Sequence, residues 1–309
     1  MTDPMILHHY DGSPYAEKVR LMFGLTNSHW YSMLSPAWPP RPSLDPLTGG
    51  YRRIPVAQSG ADIFCDTALI SREVAAATQC EALNPQSMSS EAAALMQQAE
   101  KEAFFAAIGA VPPLRLVGTM IRKFGPVGMY RFVKDRSGLL KGGSARAPQR
   151  EAAGPVLQAL LDALEQRLGA HTWINGESPS VADLAAYHPL WLHVNCNRRP
   201  LQAGPKVLDW FQRVGDIGHG SREEISQSVA FAAAKDSEPR ALPASVENVP
   251  AAIGTRVEVA PSDYGVQPVK GILAAVTDER IIVARDTDEF GKLHVHFPRE
   301  GYSVKVVQD

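Results

Sequence analysis

The sequence predicts three units in series: an α/β domain over residues 1–80, an all-α helical domain over 89–235, and a small all-β, barrel-like module over 254–309. Three observations lead there. The first eighty residues mix short apolar runs with helical periodicity and carry a proline inside a strand, at Ile54-Pro55-Val56. From Ser89 the texture becomes alanine-rich with helical spacing. After a polar stretch broken by Pro239, Pro243 and Pro250, residues 236–253, which read as a linker, the period changes to two. A chain of 309 residues also exceeds the usual size of one domain.

Residues 5–10 read as a short strand and Asp11-Gly12 as a turn. Ser13-Pro14 then has the pattern of an N-cap followed by the first helical position, with Val19, Leu21, Met22 and Leu25 as the apolar positions of the helix. In residues 51–57 the proline removes a ladder donor, so Pro55 belongs at an edge or an irregular strand start. It also holds Ile54 extended, leaving the Ile54 backbone able to pair with another molecule. Asp66-Thr67 opens a second helix, and helix N-termini gather anions. An extended peptide could be held here by its backbone and by a terminal carboxylate.

A long helix starts at Ser89 and runs through Leu95, Met96, Phe104 and Phe105 to Pro112-Pro113. Residues 114–135 are helical but less regular, punctuated by Gly125-Pro126, and Gly142-Gly143-Ser144 is a loop. Val156, Leu157, Leu160, Leu161, Leu164 and Leu168 line one side of the next helix. Ser180 and Asp183 stand at N-cap and N3 spacing, a capping arrangement with a structural role. Helices are expected near 205–216 and 221–235. Strands are expected at 256–259, 269–275, 280–284, 292–297 and 302–307, in a module of barrel or sandwich type. His294 and His296 alternate along one of them and could give two metal ligands. No third ligand is evident from sequence, so the pair reads as a polar strand face and no metal is expected. Arg280, Arg285, Lys292 and Arg299 are interspersed with Asp278, Glu279, Asp286, Asp288 and Glu289, which makes a mixed solvated surface.

The strand, the serine at a helix start, Ile54-Pro55 and Asp66-Thr67 together resemble the thioredoxin-like half of a glutathione S-transferase, of the serine-type, zeta- and omega-like kind. The turn Gly176-x-x-x-Ser180-x-Ala182-Asp183 resembles the one before that family's buried helix, which extends the likeness to about residue 235. The resemblance implies a glutathione transferase fold and glutathione as co-substrate. It implies Ser13 as the group facing the thiol, with Tyr10 as a reserve candidate because some members use a tyrosine near the end of the first strand. It further implies that Ile54 pairs with the cysteinyl backbone beside a cis Pro55, and that Asp66 and Thr67 grip the γ-glutamyl end. Tyr15 joins the glutathione-binding set, and Arg53 and Lys18 are candidates for the glycyl carboxylate. The electrophile pocket is expected between the domains, near Phe105, Arg115 and Met120. A homodimer is also implied.

The chemistry needed is a thiolate at neutral pH; a free thiol has a pKa of about 8.5. A serine hydroxyl and a helix N-terminus can lower it, and the substrate sulfur rather than the serine oxygen is the nucleophile. Thiol–disulfide exchange is disfavoured because Ser13 and Ala16 stand where a Cys-x-x-Cys pair would be needed. The alternative reading is a non-catalytic glutathione-binding or scaffold protein whose β-module recruits a partner. Composition excludes some other classes. A net charge of −2 argues against non-specific nucleic-acid binding. No apolar run approaches membrane-spanning length, and no signal-peptide pattern opens the chain. Cys65, Cys80 and Cys196 lack metal-ligand spacing and fit a reducing compartment, so the cytoplasm is expected.

Overall fold

The structure, a computed structural model, describes residues 4–307. The N-terminal part runs β1 (Ile6–His9), α1 (Pro14–Leu25), β2 (His29–Leu34), α2 (Asp45–Thr48), β3 (Val56–Ser59), β4 (Asp62–Cys65) and α3 (Thr67–Thr78). β1 is central: it pairs in parallel with β2 and antiparallel with β3, and all four of its residues are buried. β3 and β4 form an antiparallel hairpin, so this part is a thioredoxin-like α/β unit.

The helical part comprises α4 (Ser90–Gln97), α5 (Phe104–Gly109), α6 (Pro113–Leu139), α7 (Arg150–Ala170), α8 (Val181–Asn197) and α9 (Pro205–Asp216). Six residues of π-helix, Gln98–Ala103, join α4 to α5. α6 contains the irregularity expected from Gly125-Pro126: Gly125 has φ 67°, outside helical range, and the helix bends there. α8 is the buried centre. Asp183 caps it by accepting from the backbone N–H and hydroxyl of Ser180, the N–H of Ile174 and the indole of Trp210. The largest apolar core joins α1 and α3 to this bundle through Leu7, Val19, Leu69, Leu160, Leu184 and Trp210. Among the described residues no single helix is long and apolar enough to cross a membrane.

One expectation changes. The helix expected at 221–235 is split: Ser221–Glu224 forms β5, parallel to β2, and only Gln227–Lys235 is helical, as α10. The four polar residues of β5 have no apolar face to bury as a helix, whereas the exposed edge of β2 offers them backbone partners. The C-terminal strands, β6 (Arg256–Pro261), β7 (Val269–Val276), β8 (Arg280–Thr287), β9 (Gly291–Pro298) and β10 (Tyr302–Val306), do not close on themselves. They extend the N-terminal sheet, because β9 pairs in parallel with β4, giving ten strands in the order β10-β6-β7-β8-β9-β4-β3-β1-β2-β5. The reason is again a strand edge: β4 would otherwise be unpaired on its outer side. A second apolar core spans the junction, with Leu44, Leu47, Ile63 and Cys65 from the N-terminal part against Val257, Leu273, Val283 and Val295. Residues 236–253 cross this sheet as coil, tied to it by Val246 N–H donating to Val276 O.

Candidate active site

Two helix N-termini and an irregular strand start converge at the end of β1. After β1 the chain turns, and the Ser13 N–H donates to Tyr10 O at 3.0 Å. Ser13 is extended (φ −81°, ψ 123°), and its Oγ accepts from Ala16 N at 3.2 Å, so it caps α1, with Pro14 at the first helical position. Ser13 is 2% exposed. Capping uses a lone pair of the hydroxyl oxygen and leaves its proton able to donate elsewhere.

The Ile54–Pro55 bond is cis. β3 pairs from Val56 onward, with Cys65 on one side and His8 on the other. No backbone hydrogen bond among the described residues involves Ile54. Asp66 sits at the N-cap of α3 with φ 82°, and its Oδ1 accepts from Ala68 N at 3.0 Å. Thr67 is buried, and its Oγ1 accepts from Lys18 Nζ at 3.5 Å; that buried ammonium is paired with Glu100 at 2.5 Å. Lys18 therefore supports Thr67 and is engaged by a carboxylate of the chain itself.

Arg53 is the hub of this group, held largely by the turn between β6 and β7. Its guanidinium bonds Asp66 Oδ2 at 3.3 Å, Tyr264 O at 2.7 Å and the Asp263 carboxylate, and lies 4.0 Å from the centre of the Tyr264 ring. Tyr302 donates to the same Asp66 oxygen at 3.1 Å and shares a 2.5 Å hydrogen bond with Tyr51. Burial opposes charge on Arg53, but the surrounding phenols and Asp66 raise its pKa above the ordinary arginine value. The turn between β6 and β7 is fastened to the helical part as well: Gly265 N–H donates to Leu139 O at 2.6 Å, and Ala145 N–H to Asp263 O at 2.8 Å.

Tyr15 packs against Phe104 and His188, with ring centres 4.7 and 4.9 Å away. Burial, then its hydrogen-bonded neighbour Tyr264, pushes the Tyr15 phenol well above its ordinary pKa. The Tyr10 hydroxyl accepts from Arg136 at 3.3 Å. By the register of β1, β3 and β4, Ser13, Tyr10, Tyr15, Arg53, Ile54, Pro55, Asp66 and Thr67 thus gather at one end of the N-terminal sheet. Of the residues expected at the electrophile pocket, Phe105 joins this group through an edge-to-face contact with Tyr264 at 6.0 Å. Arg115 instead bonds Asn197 at 2.9 Å on the exposed surface, and Met120 is half-buried one turn further along α6.

Several residues of the cleft escaped sequence reasoning. Trp38, Phe124 and Phe132 form an aromatic cluster, with Phe124 stacked on Phe132 at 5.0 Å and Trp38 edge-on to both. Arg136 lies 4.6 Å from the Phe132 ring centre and bridges Tyr10 to Ala37 O. The Lys123 ammonium rests on Gly12: a side-chain carbon added there would fall 1.5 Å from Nζ, so a larger residue would push the flexible lysine end aside. Burial lowers the Lys123 pKa. Asp263, Tyr264 and Tyr302 come from the far end of the chain. No local pattern announces any of these residues, because tertiary approach alone unites them.

Comparison with known proteins bears on the fold and the family. Residues 7–79 match the model of the glutathione S-transferase N-terminal domain, and residues 120–216 that of the C-terminal domain. A GST-like protein from Pseudomonas syringae has a similar structure at 31% identity with a TM-score of 0.75. The match covers 98% of this chain and 99% of that one, C-terminal strands included. Glutathione S-transferases from Rhodospirillum rubrum F11 and Sinorhizobium meliloti 1021 match at 16% and 17% identity with TM-scores of 0.47 and 0.45. They cover 68% and 69% of this chain and 87% and 88% of their own. A search of curated proteins found no match. On the full-length likeness to the Pseudomonas syringae protein and the two matching domain models, the chain belongs to the glutathione S-transferase family.

Proposed function

We propose that the protein is a glutathione-dependent transferase that raises the thiolate fraction of bound glutathione and directs it at a small electrophile. The observation that supports this reading is that the α1 N-terminus with Ser13, the unpaired Ile54 backbone beside Pro55, and the α3 N-terminus with Asp66 and Thr67 all fall at one end of the N-terminal sheet. Ile54 pairs with the cysteinyl backbone, and Asp66 and Thr67 receive the γ-glutamyl end. The sulfur lies over the α1 N-terminus, where the helix dipole, the Ser13 hydroxyl and the Lys123 ammonium all favour negative charge. The thiol proton passes to solvent. The sulfur lone pair then forms a bond to the electrophilic carbon, whose leaving group departs with its bonding electrons. Trp38, Phe124 and Phe132 supply an apolar wall for an aromatic or unsaturated electrophile beside Tyr10.

Titration calorimetry with glutathione, combined with thiolate ultraviolet absorbance of the bound state, tests this. Asp66→Ala and Thr67→Ala are expected to weaken binding, the former by about 10–100-fold, since a hydrogen-bonded charge is lost. Ser13→Ala should retain binding while thiolate absorbance and turnover fall. No binding of millimolar glutathione would end the reading. A second reading, glutathione binding without turnover, is favoured by the near-complete burial of Ser13 and by the bonds Asp66 already makes to Arg53 and Tyr302. In that case glutathione binds with no thiolate signal, in wild type and Ser13→Ala alike. The proposal includes a cytoplasmic homodimer. Exposed apolar residues on α6, among them Leu114 at 88%, Val127 and Tyr130, support self-association, which sedimentation equilibrium measures.

A further inference from the structure

The junction between β4 and β9 brings together a group of side chains that the glutathione cleft does not use. The parallel register sets Asp62 opposite His294 and Phe64 opposite His296, so all four alternate onto one face of the sheet. Asp62, His294 and His296 are all buried. His296 Nε2 lies 2.7 Å from Asp62 Oδ1, and His294 Nδ1 lies 3.9 Å from the same oxygen. One nitrogen or oxygen from each of the three residues lies within 4.8 Å of the others. The backbone N–H of Arg240 donates to the other Asp62 oxygen at 2.9 Å, orienting the carboxylate and leaving Oδ1 for the group the histidines face. His296 Nδ1 is buried with no hydrogen-bond partner among the described residues.

Both histidines line a cavity of about 610 Å³ whose other walls include Arg240, Leu242, Arg280 and Ile282. Glu73 bonds both arginines, Arg240 at 2.7 Å and Arg280 at 2.6 Å, and offsets one of their two charges, while Arg240 Nε also lies 3.9 Å from the Asp62 oxygen that its backbone N–H bonds. We propose that Asp62, His294 and His296 form a binding site for one divalent transition-metal ion, with a coordination position open to this cavity.

Two imidazoles and a carboxylate are borderline ligands, of the kind that bind zinc at three protein positions and keep a fourth for water or substrate. A tetrahedral ion with ligands at about 2.0–2.1 Å holds them roughly 3.3 Å apart. The 2.7 Å pair must therefore open, and the 3.9 Å pair close, by about 0.6 Å each, which side-chain rotation can supply. The same ligand set also accepts Fe²⁺, but the order of stability for a fixed site favours Zn²⁺. With Asp62 as the one anionic ligand the bound ion keeps positive charge, so its open position suits hydroxide or a small anion entering from the cavity.

The test is a titration of the metal-free full-length protein with Co²⁺, followed by its visible ligand-field bands, and by displacement with Zn²⁺ and Fe²⁺. Saturable binding of one equivalent is expected, with tetrahedral-type bands that azide shifts and with Zn²⁺ displacing Co²⁺ more readily than Fe²⁺ does. Asp62→Asn, His294→Asn and His296→Asn should each weaken binding by at least about 10–100-fold, the loss that removing even an outer-shell partner causes. His193→Asn, remote from the junction, should not. Far-ultraviolet circular dichroism identifies any variant that fails to fold, and the isosteric Asp62→Asn keeps the comparison decisive. Absence of the bands, or Co²⁺ binding equally strong in all the variants, would overturn the site. Bands that azide leaves unmoved would overturn the open position.

Discussion

The burial of His8 and His9 on β1 shows how a single residue type can set a pH limit on the whole fold. The His8 ring donates from Nε2 to Gln58 Oε1 at 2.8 Å, while the Gln58 amide donates to Ala230 O and Gly60 O. Burial lowers the His8 pKa to about 4, against a smaller opposing effect of the Gln58 hydrogen bond. Burial, with the nearby Arg20 charge, lowers His9 to about 3. A histidine whose folded pKa lies below its unfolded value is protonated first in the unfolded chain. Stability is then complete above the unfolded pKa of about 6.5 and falls as pH drops from there toward 4. For His8 the loss is about 3 kcal/mol over that window. Urea denaturation from pH 7 to 4 should show it, and His8→Asn should flatten the slope; an unchanged slope in the variant would assign the acid sensitivity elsewhere. At the same scale, the Ser13 cap bond was legible from Ser-Pro, whereas its proposed thiol-facing role rests on what surrounds it.

Among the elements, α8 is the clearest case of local sequence and tertiary packing agreeing. The Ser180–Asp183 spacing signals a helix start, and the structure adds that the Asp183 carboxylate serves four donors while fully buried. Replacing it with alanine leaves those donors without a buried partner. Asp183→Ala is therefore expected to cost at least about 3 kcal/mol, read from the shift in urea midpoint, with Asp183→Asn milder because one acceptor oxygen survives. A cost under 1 kcal/mol would mean that water replaces the carboxylate. α6 behaves differently. Its sequence announces a bend at Gly125-Pro126, but which face meets the cleft is decided by contacts of Lys123, Phe124, Phe132 and Arg136 with Gly12, Trp38 and Tyr10.

For the molecule as a whole, the ten-stranded sheet makes the C-terminal strands part of the N-terminal core. Removing residues 254–309 would bare the outer edge of β4 together with Leu44, Leu47, Ile63 and Cys65, all fully buried in the intact chain. It would also remove Asp263, Tyr264 and Tyr302 from Arg53 and Asp66. The truncated chain is expected to aggregate, because an unpaired strand edge beside an apolar face is a template for association. Size-exclusion chromatography and dye binding to apolar surface measure this. A monodisperse fragment with the melting temperature of the intact protein would refute it.

The sequence by itself determined the local features. The Ser13-Pro14 cap, the irregular strand start at Ile54-Pro55, the Asp66-Thr67 helix start, the bundle helices and the five C-terminal strands all depend on backbone preferences and apolar periodicity that act within a few residues. Tertiary structure alone decided that β9 joins β4, that Ser221–Glu224 is a strand, and that Arg53 is held by Asp263 and Tyr264. It also set Asp62 beside His294 and His296, more than two hundred positions away in the chain. The physical reason is the same in each case. Strand edges and charged side chains take partners by proximity in the folded molecule, and sequence spacing carries no record of which distant segment will fill them.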